Sequence, residues 1–278
     1  MKIDGVVVLY GPTEENIKHI MEYVPVLNNL FVMDNTDGHK EYVKAFSAKN
    51  IKYVDMGGNR GIAQALRSGL DLAIQDCADF CLTMDQDSEF PLDSMPEIKK
   101  YLSAPDINDY GIIGLNIPGN KSCGKGLVET KTIITSGNFI NIENYRSIDG
   151  FRSELFIDSV DFDLCHQFYK AGKKIAYIGD IILGHKIGDP CKKKIFGKTV
   201  TVSNHSAIRC YYRFRNNYLL YHEDKAFYKD IYHADKRQRL KIRLFEKNKR
   251  EKLRMIKLGI KHAKMHKLGA FEQGANNE

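Results

Sequence analysis

Four short, mostly apolar runs, at residues 6–9, 30–33, 51–54 and 80–84, alternate with stretches that carry helical signals. Runs of this length without polar alternation read as strands buried on both faces. Helices between them imply a parallel sheet covered on both sides. Thr13, followed by Glu14, Glu15 and Asn16, reads as an N-cap with early acids. A second helix is expected around 42–49. A third, over 61–74, sets Ile62, Leu66, Leu70 and Ala73 on one face. Ligands of such sheets bind beyond the carboxyl ends of the strands. Polar residues stand at all four ends: Tyr10-Gly11-Pro12, Asp34-Asn35, Asn59-Arg60-Gly61 and Asp85-Gln86-Asp87.

The second half is less regular. Strands are expected at 110–115, 131–135, 138–142 and 174–178, with a helix at 160–171 stopped by Gly172. Residues 190–194 read as a mobile basic loop. A helix rich in Tyr and Arg is expected from Ser206 to Glu223, and the tail from Asp235 sets Leu253, Ile256, Ile260 and Ala263 at helical spacing. The 278 residues suit one large α/β domain with an appendage, or two small domains. The six cysteines form no CxxC pair and no zinc or disulfide spacing, which reads as reduced thiols in a cytoplasmic protein. No signal peptide is visible, and no apolar stretch reaches the roughly 20 residues that cross a bilayer.

The net charge of +7 is unevenly placed: residues 236–267 hold 14 Lys and Arg against two acids, so the rest of the chain carries −5. A basic tail on an acidic body points to an anionic surface as the tail's partner. A dimer contact and a solvated helix are its other readings.

Asp85 and Asp87 are two carboxylates one residue apart where a buried strand meets a loop. Their charges repel unless a cation lies in front of them, and a hard divalent ion carrying a diphosphate answers that need. A solvated turn is the plain alternative. Asp34 at its strand end can accept from a base imide, or merely cap a turn. Gly61 opens a helix whose first amides attract phosphate, with Arg60 adding charge. Asp158, Asp161 and Asp163 lie near a helix start, where the helix dipole alone favours acids. Asp161 is the candidate base that takes a proton from an acceptor hydroxyl, with Asp158 and Asp163 positioning the helix or holding the acceptor. His185 follows another apolar run and can complete a metal shell with Asp87. Arg209, Arg213 and Arg215, interleaved with Tyr211 and Tyr212, suit nucleic acid, a lipid surface, a diphosphate or a solvated helix face.

Together these motifs make the chain resemble a family-2 inverting glycosyltransferase of the GT-A fold, similar to the bacterial rhamnosyltransferases, over about residues 3–222. The resemblance rests on Tyr10-Gly11-Pro12, Met33-Asp34-Asn35, Asn59 to Ala63, Asp85-Gln86-Asp87-Ser88, Ser136-Gly137, the acids from Asp158 to Asp163, His185, and Tyr211 to Asn216. It implies an α/β, Rossmann-like nucleotide-diphospho-sugar transferase with a mixed, mainly parallel sheet. The transferase domain would span 1–222, with a nucleotide-sugar half at about 1–115 and an acceptor half at about 116–222. A basic helical extension would follow at 223–278. It further implies that Tyr10, Pro12, Asp34, Asn35, Asn59, Arg60, Ala63 and Asp85 bind the donor nucleotide. Asp87 and His185 would hold Mg²⁺ or Mn²⁺, and Asp161 would be the catalytic base. Ser136, Gly137, Asp158, Asp163, Arg213 and Arg215 would touch acceptor or diphosphate. Gly11, where the family commonly has Asn, and His166-Gln167, where it has an arginine, depart from the pattern.

The expected activity is transfer of a sugar, L-rhamnose from dTDP-rhamnose or another dTDP- or UDP-sugar, to a cell-envelope glycan or lipid-linked acceptor. The tail would dock on anionic lipid at the inner face of the membrane. A nucleic-acid partner leaves the acidic clusters unexplained, since they repel phosphate. A nucleotidyltransferase needs a triphosphate loop that Tyr10 to Thr13 does not supply.

Overall fold

The computed structural model describes the chain except residues 39, 119–123, 186–190, 196–197, 203 and 273–278, with the backbone alone at 185, 191–195 and 198–202. Its strands are β1 (Ile3–Leu9), β2 (Leu30–Asp34), β3 (Ile51–Asp55), β4 (Phe80–Asp85), β5 (Ser88–Glu89), β6 (Tyr110–Asn116), β7 (Leu127–Glu129), β8 (Asn138–Asn141), β9 (Lys174–Ile182), β10 (Gly184–His185), β11 (Cys191–Ile195) and β12 (Lys198–Val202). Its helices are α1 (Glu14–Tyr23), α2 (Ile62–Gln75), α3 (Met95–Leu102), α4 (Ile142–Tyr145), α5 (Val160–Lys170), α6 (Ala207–Glu223), α7 (Lys225–Phe245) and α8 (Lys249–Lys264).

The chain forms two compact units. The first comprises Met1–Ser153 and Asp161–His185, the second Glu154–Val160 and Lys186–Glu278. The boundary expected near 222 therefore falls differently. The reason is that Cys210 and Phe214 of α6 share an apolar cluster with Ile242 and Ile256, from α7 and α8.

In the first unit, eight of the described strands form one sheet in the order β3-β2-β1-β4-β8-β6-β9-β7. β1, β2, β3 and β4 pair in parallel, as do β6 and β9, while β8 and β7 run antiparallel to their neighbours. Ile3, Val7 and Leu9 of β1 join Ile20 and Tyr23 of α1 and Ile98 and Leu102 of α3 in one core cluster. Alternate residues of β1 face the other way. There Gly69 of α2 comes so close that a Cβ would lie 2.5 Å from Val6. Cover on both faces is what removes polar alternation from these strands. Thr13 caps α1 as expected, through a capping box with Asn16.

Three expected elements differ. Residues 41–46 form a 3-10 helix rather than an α-helix. Residues 131–135 are not a strand, because their carbonyls accept from side chains: Thr83 Oγ1 donates to Thr135 O (2.6 Å), and Asn138 Nδ2 to Ile134 O. The basic run expected as a loop forms β11, paired with β12, while Pro190 lies outside the described residues.

At the amino end of the sheet, Asp4 is fully buried, with one carboxylate oxygen accepting from Asn29 N–H (3.1 Å) and the Asp76 carboxylate beside it. Burial first, then the neighbouring Asp76, pushes its carboxyl up to about 6. A folded value above the unfolded one means that the folded state holds the proton more tightly. Stability from this group therefore falls as pH rises from about 4 to about 6. Asp4→Asn should flatten that slope and raise stability at pH 7. Melting temperatures at both ends of the window test it, and an unchanged slope would remove Asp4 as the cause.

Candidate active site at the carboxyl ends of the strands

Leu9 pairs with Asp34, Asp34 with Asp55, and Val8 with Asp85, so three aspartates from β2, β3 and β4 finish at the same end of the sheet. The loops beyond are laced together. Tyr10 N–H donates to Gln86 Oε1 (2.8 Å), and Gln86 Nε2 donates back to Tyr10 O (3.3 Å). Gly11 N–H donates to Thr36 Oγ1 (2.9 Å). Asn35 reaches the next loop, with Nδ2 donating to Gly61 O (3.0 Å) and Oδ1 accepting from Arg60 N–H (3.2 Å). Asn59 Oδ1 accepts from Gly61 N–H (3.0 Å). These bonds gather Tyr10, Pro12, Asn35, Asn59 and Arg60 at one end of the sheet.

Tyr10 is 57% exposed, Pro12 is half-buried, and Arg60 is exposed with Nε on Met56 O (3.3 Å). Gly61 has φ of +85°, a conformation that suits glycine, and α2 begins there without a side-chain cap. Ala63 is fully buried in the first turn of α2, which leaves its backbone rather than its methyl group for a ligand.

Asp34 is also fully buried. Its Oδ1 accepts from Thr36 N–H (2.8 Å), and its Oδ2 accepts from the Tyr42 (2.9 Å) and Tyr53 (2.5 Å) hydroxyls. Expected to face a base, it instead braces two tyrosines beneath the surface. Burial, with the Asp34 carboxylate beside it, pushes the Tyr42 hydroxyl up to about 12. Tyr42 and Tyr53 carry no sequence signal for this role, since a tyrosine looks alike whichever acid it meets.

Asp85 is half-buried and Asp87 exposed. The turn that carries them is held from below: Asp85 N–H donates to the buried Ser136 Oγ (3.0 Å), which donates to Ser88 Oγ (2.8 Å). Gly137, at φ +76°, donates from its N–H to Thr83 O (2.8 Å). Ser136 and Gly137, expected to touch acceptor or diphosphate, are supports of the acidic turn. β10 pairs with β5 so that the backbone of His185 lies opposite Ser88, one residue after Asp87. No three metal-donating side chains converge among the described residues. The two carboxylates are hard oxygen donors of the kind Mg²⁺ and Mn²⁺ prefer.

Asp161 lies in the first turn of α5, half-buried, with Oδ1 accepting from Phe162 N–H (2.9 Å). It lines a small cavity with Thr83, Thr135, Asn138 and Phe151. Thr83, which shares this cavity with Asp161, precedes Asp85 by two residues on β4. Asp163 is buried and engaged by Arg152 Nη1 (3.3 Å) and Gln167 Nε2 (2.8 Å). It holds the helix rather than a ligand.

Asp158 belongs to the second unit, where α6 grips residues 154–160. Arg209 donates twice to the Asp158 carboxylate (2.9 and 2.7 Å). Arg215 is fully buried and donates to Glu154 O, Leu155 O and Gly269 O. Asn216 Nδ2 is shared among the carbonyls of Leu155, Ile157 and Asp158 at 2.8 to 2.9 Å. The Ser159 hydroxyl donates to Asn217 Oδ1 (2.5 Å), and Phe156 stacks on Tyr212. Phe156, Asp158 and Ser159 all have φ of +65° or +66°, a left-handed conformation that such residues hold only when neighbours over-determine it. Arg213 donates to Asp235 Oδ1 (2.8 Å). The arginines expected at a diphosphate or acceptor are therefore engaged by this chain's own carbonyls and carboxylates.

The model of glycosyl transferase family 2 matches residues 13–158, more than half of the chain. The chain belongs to glycosyl transferase family 2. The family 2 match takes in the loops of Asp34, Arg60 and Asp85 to Asp87 and ends before Asp161. The chain is similar to the dTDP-rhamnosyl transferase RfbF of Shigella flexneri, with 26% identity over 237 residues, 78% of this chain and 79% of that one. Among solved structures it is similar to S. aureus TarS 1-349 (TM-score 0.51, 16% identity, 66% of this chain and 59% of that one). The complex of TarS 1-349 with UDP-GlcNAc also matches (TM-score 0.51, 13% identity, 94% and 72%). The chain spans 44% of a longer TarS structure. At these identities the likeness establishes the fold, GT-A, and the eight-stranded mixed sheet agrees with it.

Proposed function

We propose that this family 2 protein is an inverting transferase that moves a sugar from a dTDP- or UDP-sugar to a hydroxyl of a cell-envelope glycan or lipid-linked acceptor, with L-rhamnose from dTDP-rhamnose as the donor. The observation that carries the reading is that Asp161 shares a small cavity with Thr83, which precedes Asp85 by two residues on β4. In this scheme Asp161 takes the acceptor's hydroxyl proton. The freed oxygen forms a bond to C1 of the sugar on the face opposite the diphosphate. The old C1–O bond breaks, and its electron pair leaves with the nucleoside diphosphate. Tyr10, Pro12, Asn59 and Arg60 line the donor side, above the braced Asp34. Asp87, with Asp85 and His185 beside it, would hold Mg²⁺ or Mn²⁺, which when bound neutralises charge on the departing diphosphate.

The rhamnose assignment is supported by the similarity to RfbF. Release of nucleotide from a panel of dTDP- and UDP-sugars tests it. dTDP-L-rhamnose should turn over at least about tenfold faster than UDP-sugars, a difference of about 1.4 kcal/mol in the barrier. A preference for a UDP-sugar would overturn the rhamnose assignment, and turnover of none would overturn the transferase reading. A lipid-linked acceptor puts the enzyme at the inner face of the membrane, met through its basic C-terminal helices. Among the described residues no helix is long and apolar enough to cross a membrane.

A further inference from the structure

Leu253, Ile256, Ile260 and Ala263, the apolar stripe that sequence spacing picks out in the tail, do not face outward. Ile256 and Ala263 are buried, and Leu253 and Ile260 pack with Cys210 and Phe214 of α6. Gly259 allows the approach: a Cβ there would lie 2.5 Å from Tyr211 O. That stripe is unavailable to a membrane.

α7 presents a different face. Phe227, Tyr228, Asp235 and Ile242 are its buried side. On the opposite side, at helical spacing, stand Lys229, Lys236, Arg237 and Arg243, together with Leu240 and Leu244. The two leucines are four residues apart, hence adjacent on the surface, and are 57% and 54% exposed. The acids nearby do not cancel these cations. Asp235 is buried against Arg213 and Asn217, and Glu246 is buried against Lys252 and Gln238. Asp230 sits on the flank.

We propose that this face of α7 docks on an anionic lipid bilayer, with the cations on headgroup phosphates and Leu240 and Leu244 at the acyl boundary. The reading of a membrane-borne acceptor gives such docking its purpose, and the geometry of the face stands apart from it. A basic face fits any polyanion, but an exposed leucine pair at its centre matches a bilayer better than a nucleic-acid backbone, which offers phosphates without an apolar layer.

The test is co-sedimentation of the full chain with vesicles holding about 30% phosphatidylglycerol in phosphatidylcholine, with phosphatidylcholine alone, and with a DNA duplex in competition. The chain should bind the anionic vesicles and not the neutral ones. Arg237→Gln with Arg243→Gln should weaken binding about 25-fold, fivefold per charge. Leu240→Ser with Leu244→Ser should weaken it about tenfold and leave the remainder more sensitive to salt. Equal binding to neutral vesicles, indifference to the leucine pair, or full displacement by the duplex would overturn the docking. Nucleotide release from the sugar donor, measured on the same proteins, should not change. Its loss in the wild-type chain would strike the transferase reading and leave the vesicle result standing.

Discussion

Asp161→Asn is expected to lower the sugar-transfer kcat by about 10³-fold while the donor KM stays within about twofold. The two side chains are nearly the same size, and the amide keeps an oxygen for Phe162 N–H, which Asp161 Oδ1 accepts at 2.9 Å. What is lost is the ability to take a proton. That loss acts only where the acceptor O–H bond is breaking, so it falls on kcat and spares donor binding. Because Asp163 is locked between Arg152 and Gln167, it offers no substitute base two residues away. Single-turnover kinetics with an acceptor glycan give the answer. A variant that transfers at the wild-type rate would place the base elsewhere, and a variant that fails to bind donor would recast Asp161 as a donor contact.

Asp87→Asn should have the next largest effect, about 10²-fold in kcat/KM, with a matching rise in the Mg²⁺ or Mn²⁺ concentration needed for half-maximal rate. A hard cation held by carboxylates loses several kcal/mol of charge stabilisation when one becomes an amide. Asp87 is the exposed member of the pair, whereas Asp85 is half-buried, with its N–H tied to Ser136. A chelator should silence the wild-type enzyme, and added divalent ion should restore it. Full activity in excess chelator would remove the metal from the scheme. Restoration of Asp87→Asn by excess ion would separate weakened binding from a damaged turn.

Much of the first unit was legible because its signals are local. An apolar run ending in Asp34 or Asp85 needs no distant information to be read as a strand meeting a polar rim, and Thr13 with Asn16 is a cap written in four residues. What stayed hidden depends on partners far along the chain. Residues 131–135 have strand-like composition, but Thr83 and Asn138 capture their carbonyls, so no ladder forms. Arg215 looks like a surface cation in any helical projection, because its three carbonyl partners lie about 60 residues upstream and 54 downstream. The tail's periodicity was real, but periodicity marks a face without saying what covers it, and α6 covers this one.

The grip of α6 on residues 154–160 bears on how the protein is made. Synthesis runs from the amino end, and the carbonyls of Leu155 and Ile157 leave the ribosome about 60 residues before Asn216, which donates to them. At elongation rates of about 5–20 residues per second, that is a wait of several seconds. The turn leading into Asp161 thus closes after α6 has emerged, although most of the sheet precedes it in the chain. A polypeptide stopped before α6 would keep Asp85 and Asp87 and lose the means of setting that turn.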